Sequence, residues 1–478
     1  MVNKRGKKAM DMTSGNLFWK MLFFALPIMA TTAMQLLYTT VDLTTVHYGD
    51  GADSMGAIAS NTALINLIII VFSGMSLGVN VIMSEARGAG DVTKGSKILH
   101  TSLVFALLSG IVVGLIGFFL SDNLLELMGT TPAYLEKATL YLRIYFCGLP
   151  FLMIYNYSAQ LLRAQGDSRT PFFILMISGL VNVAVDCALV LTPLALGVAG
   201  VAIATVASEA LSCVLGVLAL KFGKRLFVNL EFKKLGIDRV SMLDMIRVGL
   251  PAGLQGFFFS LPNVFIQSSL YTIDPNNVAL INGATASGNI EGYFFIVVDG
   301  FQGAIMTFIA ANVGAKKKDN IPKVFWFGMA WGAVFCGLIA LITAFLYRPL
   351  LSLYVSDEAS IEAGRQRLSI MGYFYLLNTF MGLSAGALRG LRRSTFPMVT
   401  TLVFCTVLRI VSVLTLFQLP YFHTLTWLYS LFPISWLLAS ICNAIAIAVF
   451  LPKALRNLEK ELAEASPEEA VIPESAEC

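Results

Sequence analysis

Two stretches of this sequence carry polar side chains at helical spacing within otherwise apolar surroundings. They are Thr31, Gln35, Tyr38 and Asp42 in the first stretch, and Ser178, Asn182 and Asp186 in the second. Spacing of three or four residues places side chains on one face of a helix. An ionised carboxylate at the centre of a bilayer costs on the order of 2.5–3.5 kcal/mol, so an acid there requires a role. Either the two acids hold a proton or a sodium ion, or they only join helices by hydrogen bonds near the outer interface.

Another set of charged residues lies in apolar stretches of the second half: Glu291, Asp299 and Arg409. Glu291 and Arg409 lie at a depth where they could pair with each other; otherwise Glu291 is a second contact for a cation or substrate. Asp299 lies nearer the end of its stretch and is expected to be solvated. The candidate lining of a substrate cavity is Gln35, Tyr38, Asn156, Ser178, Glu291 and Arg409.

The elements that must position these residues are membrane-spanning helices. Of 478 residues, 57% are hydrophobic and only 13% are charged, and an apolar run of about 18 residues or more can cross a bilayer as a helix. Twelve such runs are predicted, at 17–46, 54–84, 98–120, 139–162, 172–192, 199–221, 242–271, 279–311, 322–347, 366–388, 396–418 and 425–450. Because Pro27 interrupts the first run and eleven more follow, a secretory signal peptide is rejected.

Basic residues alternate from one connecting segment to the next. The N-terminus, the even-numbered loops and the C-terminal segment hold most of the 33 Lys and Arg residues, including Lys97, Arg163 and Lys317. Excess positive charge marks cytoplasmic segments. The protein is therefore predicted to lie in the inner (cytoplasmic) membrane of the cell, with both termini in the cytoplasm. Anionic lipid explains the net charge of +4, and no nucleic-acid partner is expected.

The sequence repeats itself at an offset of 226 positions. Arg163 then superposes on Arg389, Pro171 on Pro397, and Gly88 on Gly314. Six spans separate the copies, so the two halves share one orientation and are related by an axis along the membrane normal. The predicted fold is all-α, with an N-terminal segment 1–16, an N-lobe 17–221, a linker 222–241, a C-lobe 242–450 and a tail 451–478, disordered from Glu459 onward.

Two local features refine this picture. The offset carries Asn182 and Asp186 onto Leu408 and Ser412, so the second half lacks the acidic stripe. Pro27 removes a backbone hydrogen bond on the same span as Asp42, which predicts a hinge in the first span.

Several motifs together resemble the multidrug and toxic compound extrusion (MATE) family over nearly the whole chain. They are ALPIM (25–29), VDLTTV (41–46), GAGD (88–91), LRAQGDSRTP (162–171), VNVAVD (181–186), GVAGVAIATVASE (197–209) and GLPAGLQ (249–255). The resemblance implies two six-helix lobes and export of organic cations or other amphiphiles against inward flow of protons or sodium ions. It also implies a cation site at Asp42, Asn182, Asp186, Thr205 and Tyr141. Some relatives carry acids in the seventh and tenth spans, where this chain has none in the interior, and Glu291 is the candidate substitute.

Two other classes of membrane protein are alternatives to an exporter. A lipid-linked precursor flippase of the same superfamily would have a strongly basic cavity, whereas Arg409 is the one deep arginine identified. An integral membrane enzyme would need a nucleophile, metal or acid–base group, and the sequence offers none; it also lacks a phosphate-binding loop for ATP. We therefore expect a transporter and not an enzyme. Its expected partners are a small-molecule substrate and the lipid bilayer, with no cofactor beyond a coupling H+ or Na+, and it is expected to act as a monomer.

The charge alternation makes a testable prediction about topology. In a variant with the native cysteines replaced, Asp53→Cys should react with an impermeant maleimide added outside intact cells. Lys317→Cys should react only after the membrane is permeabilised. Labelling of Lys317→Cys in intact cells would contradict the predicted orientation.

Overall fold

Helices make up almost all of the described structure. The computed structural model describes residues 9–50, 52–128, 130, 132–192, 196–273 and 277–465. Twelve helical spans follow in chain order: Leu17–Asp50, Ala52–Gly88, Val92–Leu127, Pro132–Ala164, Arg169–Val190, Gly197–Phe222, Arg239–Ile273, Val278–Gly314, Asn320–Ser352, Glu358–Gly390, Thr395–Gln418 and Leu425–Ala465. Every predicted run coincides with one of them, which confirms the predicted all-α fold.

Several spans depart from regular apolar α-helix, among them span 9, whose backbone is non-helical at Leu346. Eleven of the described helices have the length and composition needed to cross a membrane; span 7 is long enough but contains Pro251 and Pro262 and is less apolar. A 3₁₀ turn at Gly372–Phe374 interrupts span 10. In span 11, residues Thr401–Val407 are π-helical, a local widening that is frequent at functional sites.

The spans pack around two large hydrophobic cores, and the first span of each half packs against both lobes. The N-terminal part of span 1 lies in the core formed mainly by the second half. Phe24 packs there against Phe308 at 5.4 Å between ring centroids. Farther along the same span, Tyr38 contacts span 5 in the first half. Span 7 in turn packs along span 2. The predicted lobe boundaries thus delimit the sequence repeat, and spans 1 and 7 pack across the boundary between the lobes.

Glycines bring the two lobes into backbone contact at their inner end, by which we mean the end that carries the even-numbered loops. A side chain on Gly78 would overlap the carbonyl oxygen of Met245, and one on Gly253 would overlap that of Val71. Where spans 2 and 8 cross, a side chain on Gly314 would overlap the carbonyl oxygen of Glu85. Small residues permit this close approach of helices, which stabilises packing in membranes where apolar burial does not.

Polar contacts reinforce the closure at this end. Arg392 donates hydrogen bonds to Glu85 of span 2 (2.7 Å) and Asp244 of span 7 (3.2 Å). In the membrane interior, Thr307 of span 8 donates to the side-chain oxygen of Asn80 of span 2 (2.9 Å).

The N-terminal segment runs across both lobes at the same end. Met10 accepts a hydrogen bond from Arg87 in the first half (2.8 Å), and Met12 accepts one from Asn312 in the second half (2.9 Å). Lys317 donates to the carbonyl of Thr13 (2.8 Å). This segment therefore bridges the lobes.

The linker between the halves is fixed to the first lobe. The backbone N–H of Glu231 donates to Nε2 of His100 (3.0 Å), and that of Asp238 donates to the hydroxyl of Thr101 (2.9 Å). The side chain of Gln165 accepts from the backbone of Val228 (2.8 Å). His100 and Thr101 thus hold the linker against span 3, a role that the sequence did not predict.

The prediction of disorder from Glu459 onward is wrong for its first residues. Span 12 continues as a helix to Ala465, and Lys318 pairs with Glu459 at 2.8 Å while Lys316 pairs with Glu461 at 3.3 Å. These ion pairs join the helix to the eighth loop, and they were not predictable because the partners are distant in sequence. Residues 466–478 and the first basic residues of the chain lie outside the described ranges.

We call the close contacts at Gly78, Gly253 and Gly314 the glycine crossing. The contact at Gly253 generates a second prediction. Gly253→Ala should destabilise the purified protein by about 1–3 kcal/mol because the added methyl group is overpacked. Gly337→Ala is the matched control, since no atom lies within 4 Å of its added methyl group. Its stability should be unchanged or higher, because alanine favours helix. Equal melting temperatures for the two variants in detergent would contradict a close contact at Gly253.

Candidate functional site

A cavity of about 550 Å³ lies between the two lobes. Its wall combines apolar side chains such as Ile70, Phe259 and Met381 with amides and hydroxyls. Of the six candidate lining residues, the structure places Gln35 and Asn156 on this wall. The inner-end contacts described above close it on the side of the even-numbered loops.

The cavity wall carries charges of both signs at its inner part. Arg163 and Arg389, which are equivalent in the repeat, both line it together with Asp299. Asp299 lies near enough to both arginines to interact electrostatically. Arg389 donates to the side-chain oxygen of Gln255 (2.7 Å), and Gln302, with its amide oriented to satisfy both neighbours, accepts from Arg389 (2.7 Å).

These arginines correct one sequence-based argument. Arg409 is not the one deep arginine: Arg367 and Arg389 are buried in the helical bundle, and Arg163 lines the cavity. Asp299 was expected to be solvated, and it is exposed on the cavity wall. The repeat of Arg163 and Arg389 was visible in the sequence and was the available signal, although it was interpreted only as a basic loop.

The other two first-half candidates pack between helices instead of lining the cavity. Tyr38 donates to the carbonyl of Leu175 (3.0 Å), and its ring fills the space beside Gly179. Ser178 is buried and donates to the carbonyl of Ile174 (2.8 Å). Tyr38 therefore lies at the contact between spans 1 and 5, which also brings Asp42 close to Asp186, whereas Ser178 bonds within span 5.

The carboxyl groups of Asp42 and Asp186 are adjacent. Asp186 is fully buried, and neither of its oxygens has a hydrogen-bond partner among the described residues; the same holds for one oxygen of Asp42. Asn182, one turn away from Asp186, has a buried side-chain NH₂ that is also unpaired within the described ranges. Unpaired buried polar groups are costly, so this arrangement is suited to a bound proton or a small cation.

Tyrosines and a further acid extend the cluster. Tyr141 of span 4 lies within hydrogen-bonding range of Thr205 of span 6 and close to Asp42 and Asp186. Its ring stacks on that of Tyr145 at 6.3 Å between centroids, and Tyr145 lies within hydrogen-bonding range of Glu209. Glu209 was missed as a site residue, although it ends the GVAGVAIATVASE motif. One of its carboxyl oxygens is buried and unpaired in the described structure.

The predicted pairing of Glu291 with Arg409 is wrong. Glu291 accepts two hydrogen bonds from Arg367 of span 10, at 2.7 and 2.9 Å. Arg409 instead donates to the hydroxyl of Ser435 on span 12 (2.8 Å). The physical reason is the orientation of the two helices: Glu291 faces span 10, whereas Arg409 faces span 12. Neither residue is part of the described cavity wall.

Span 1 passes through Pro27 as a continuous helix. The hydroxyl of Thr31 donates to the carbonyl of Pro27 (2.8 Å), a contact that often accompanies bending of a helix. The hinge at Pro27 stays a prediction.

Fold and site together define a membrane transporter with two repeated lobes. The MatE family model matches residues 27–187 and 251–415, once in each lobe. The chain belongs to the multidrug and toxic compound extrusion family, whose members are transporters and not enzymes.

Relatives and solved structures agree with this assignment. The probable multidrug resistance protein YoeA of Bacillus subtilis is 26% identical over 368 residues, covering 75% of this chain and 78% of the relative. An FAD transporter of Shewanella oneidensis is 26% identical over 317 residues, covering 65% and 69%. A crystal structure of MATE in the bent conformation has a TM-score of 0.83 at 18% identity, covering 92% of this chain and 96% of that chain.

The cavity wall gives a third prediction. In a cysteine-free background, Asn156→Cys should react readily with a water-soluble maleimide, because Asn156 lines the cavity. Ser178→Cys is the control, since Ser178 is buried and is not part of the cavity wall, and it should react much more slowly. Similar labelling rates for the two purified proteins would contradict the cavity boundary.

Proposed function

We propose that the protein is an antiporter that exports amphiphilic organic molecules in exchange for protons or sodium ions. The observation that carries this proposal is the adjacent pair of buried carboxyl groups, Asp42 and Asp186, with oxygens that lack hydrogen-bond partners in the described structure. A transporter that only allowed passive passage would gain nothing from the cost of burying two acids.

The chemistry of the cluster suits either ion. Carboxylate, amide and hydroxyl oxygens from Asp42, Asp186, Asn182 and Thr205 are hard ligands of the kind that alkali and alkaline-earth cations prefer. Two adjacent carboxyl groups can also share a proton, because like charges at short distance cannot both remain ionised without cost. Binding of either ion would neutralise the pair and change how span 1 packs on span 5.

Coupling requires that ion and substrate prefer different arrangements of the lobes. In the described arrangement the glycine crossing and the Arg392 contacts close the inner end. Loading of the cation site would shift span 1, which packs against both lobes, and so disfavour the substrate-bound arrangement of the cavity. Pro27 is the proposed hinge for that shift.

Substrate class follows from the cavity. Its aromatic and aliphatic wall suits amphiphiles, and Asp299 offers a contact for organic cations. Arg163 and Arg389 also favour molecules with an anionic group, and FAD, the substrate named for one relative, carries phosphate groups. A single chain acting in the cytoplasmic membrane, with both termini in the cytoplasm, is part of this proposal.

The coupling proposal is tested in liposomes with a proton or a sodium gradient imposed separately. Asp42→Asn and Asp186→Asn should each abolish uphill export, because neither variant can bind and release the coupling ion. Asp122→Asn is the control, since Asp122 is exposed and pairs with Arg143, and its export should match the wild type. Unaltered uphill export in both site variants would return the two acids to a purely structural role.

A further inference from the structure

A second cluster of buried polar groups lies inside the C-lobe, away from the cation site. At its centre is Arg409, which is fully buried. Its Nε donates to Ser435 (2.8 Å), but both terminal nitrogens of the guanidinium are buried without a hydrogen-bond partner in the described chain. The guanidinium lies 4.3 Å from the ring centroid of Phe432. Aromatic contact offsets part of the cost of burial, but it leaves the terminal N–H groups unsatisfied.

Neighbouring side chains add further donors. The indole N–H of Trp436 and the hydroxyl of Tyr429 are likewise buried and unpaired among the described residues, whereas the hydroxyl of Tyr375 lies within hydrogen-bonding range of Glu291. The Tyr375 and Trp436 rings lie 5.0 Å apart, and the Trp436 ring centroid lies 6.0 Å from the Arg409 guanidinium. An indole or guanidinium nitrogen can only donate. The cluster therefore presents several donors and requires an acceptor.

No acid in the described structure supplies that acceptor. Glu291 is engaged by Arg367 through two short hydrogen bonds, so this pair is internally neutral and Arg409 is left with an uncompensated charge. A charge left buried and unpaired is strongly destabilising.

The repeat gives independent support. The 226-residue offset carries Tyr141 onto Arg367 and Glu209 onto Ser435, the residue that holds Arg409. It also carries Asp186 onto Ser412. The second lobe thus holds serines at the places of the two first-half acids, Asp186 and Glu209, and an arginine at the place of Tyr141.

The cluster lies next to the wall of the central cavity. Phe259 and Phe295 line the cavity; the Phe259 ring centroid lies 5.7 Å from the Arg409 guanidinium, and that of Phe295 lies 6.1 Å from Tyr375. Phe259 therefore lies between the cavity and the unpaired donors of Arg409.

We propose that the Arg409 cluster, formed by Arg409, Ser435 and Trp436, is an anion-binding site. Its ligand is a small anion that accepts several hydrogen bonds. The source is either free chloride or a carboxylate or phosphate group of a molecule in the central cavity. This site is separate from the cation site and does not depend on the proposed direction or ion of transport.

The test measures anion binding to the purified full-length protein in gluconate buffer at constant ionic strength. Radiolabelled chloride should bind saturably to the wild type and bind at least about tenfold more weakly to Arg409→Met, a loss of 1.4 kcal/mol or more. Arg348→Met is the control, because Arg348 is exposed and pairs with Glu358, and it should bind as the wild type does.

Acetate and inorganic phosphate distinguish the sources. Saturable chloride binding that neither competitor displaces identifies free halide as the ligand. Displacement by either one, or a higher melting temperature in acetate or phosphate without chloride binding, identifies an anionic group of the substrate. The proposal is overturned if none of the three anions binds or stabilises the wild type, or if Arg409→Met responds as the wild type does.

A second variant guards against misfolding of Arg409→Met. Trp436→Phe removes one donor and keeps the aromatic ring, and it should weaken anion binding severalfold with Arg409 intact. If Trp436→Phe and Arg409→Met both fold and bind anion normally, the site is excluded. Asp42→Asn should retain anion binding even if its transport is lost, so failure of this proposal and failure of the antiport proposal give different results.

Discussion

Close backbone contact between the lobes at their inner end is the constraint on which the rest of the structure depends. Lipid is as apolar as the helices, so burial of apolar surface does not hold the two lobes together in a membrane. Glycines on spans 2, 7 and 8 supply the contact instead, because they allow one helix backbone to touch the next. With the lobes joined there, the space left between them farther along the spans is the central cavity.

Such a contact is also reversible. Glycine interfaces involve many weak van der Waals interactions and few interlocked side chains, so they can separate without extracting a large side chain from a pocket. The polar contacts at the same end, such as Arg392 with Glu85, are partly exposed to solvent, where ion pairs contribute little net stability. An interface of this kind fits a protein that must open and close at each cycle.

Sequence patterns predicted the features that depend on local composition. Apolar runs predicted all twelve spans, and helical spacing indicated Asp42 and Asp186 as candidate site residues. What could not be predicted was which helix faces meet. Glu291 and Arg409 lie at similar depth, but their orientations direct them to Arg367 and Ser435.

The same reason explains other differences from expectation. Depth can be counted along a chain, whereas helix rotation and neighbour identity are set by tertiary packing. Glu209 escaped notice because its motif was interpreted only as a family mark, and its relation to Tyr145 depends on spans 4 and 6 being neighbours. Likewise, the glycines of spans 2 and 7 have no visible partner in sequence because their contacts join opposite halves.

The packing of the first span of each half against the other half bears on how such a chain could arise. Each half depends on the other for the packing of one helix: span 1 is anchored in the core formed mainly by the second half, and span 7 lies along span 2. A gene encoding only one six-span unit would produce a subunit whose first helix lacks part of its packing surface. Two copies could satisfy each other by trading that helix across a twofold axis, as in a domain-swapped dimer. Gene duplication and fusion would then convert that dimer into one polypeptide, after which each copy would be free to acquire its own charges.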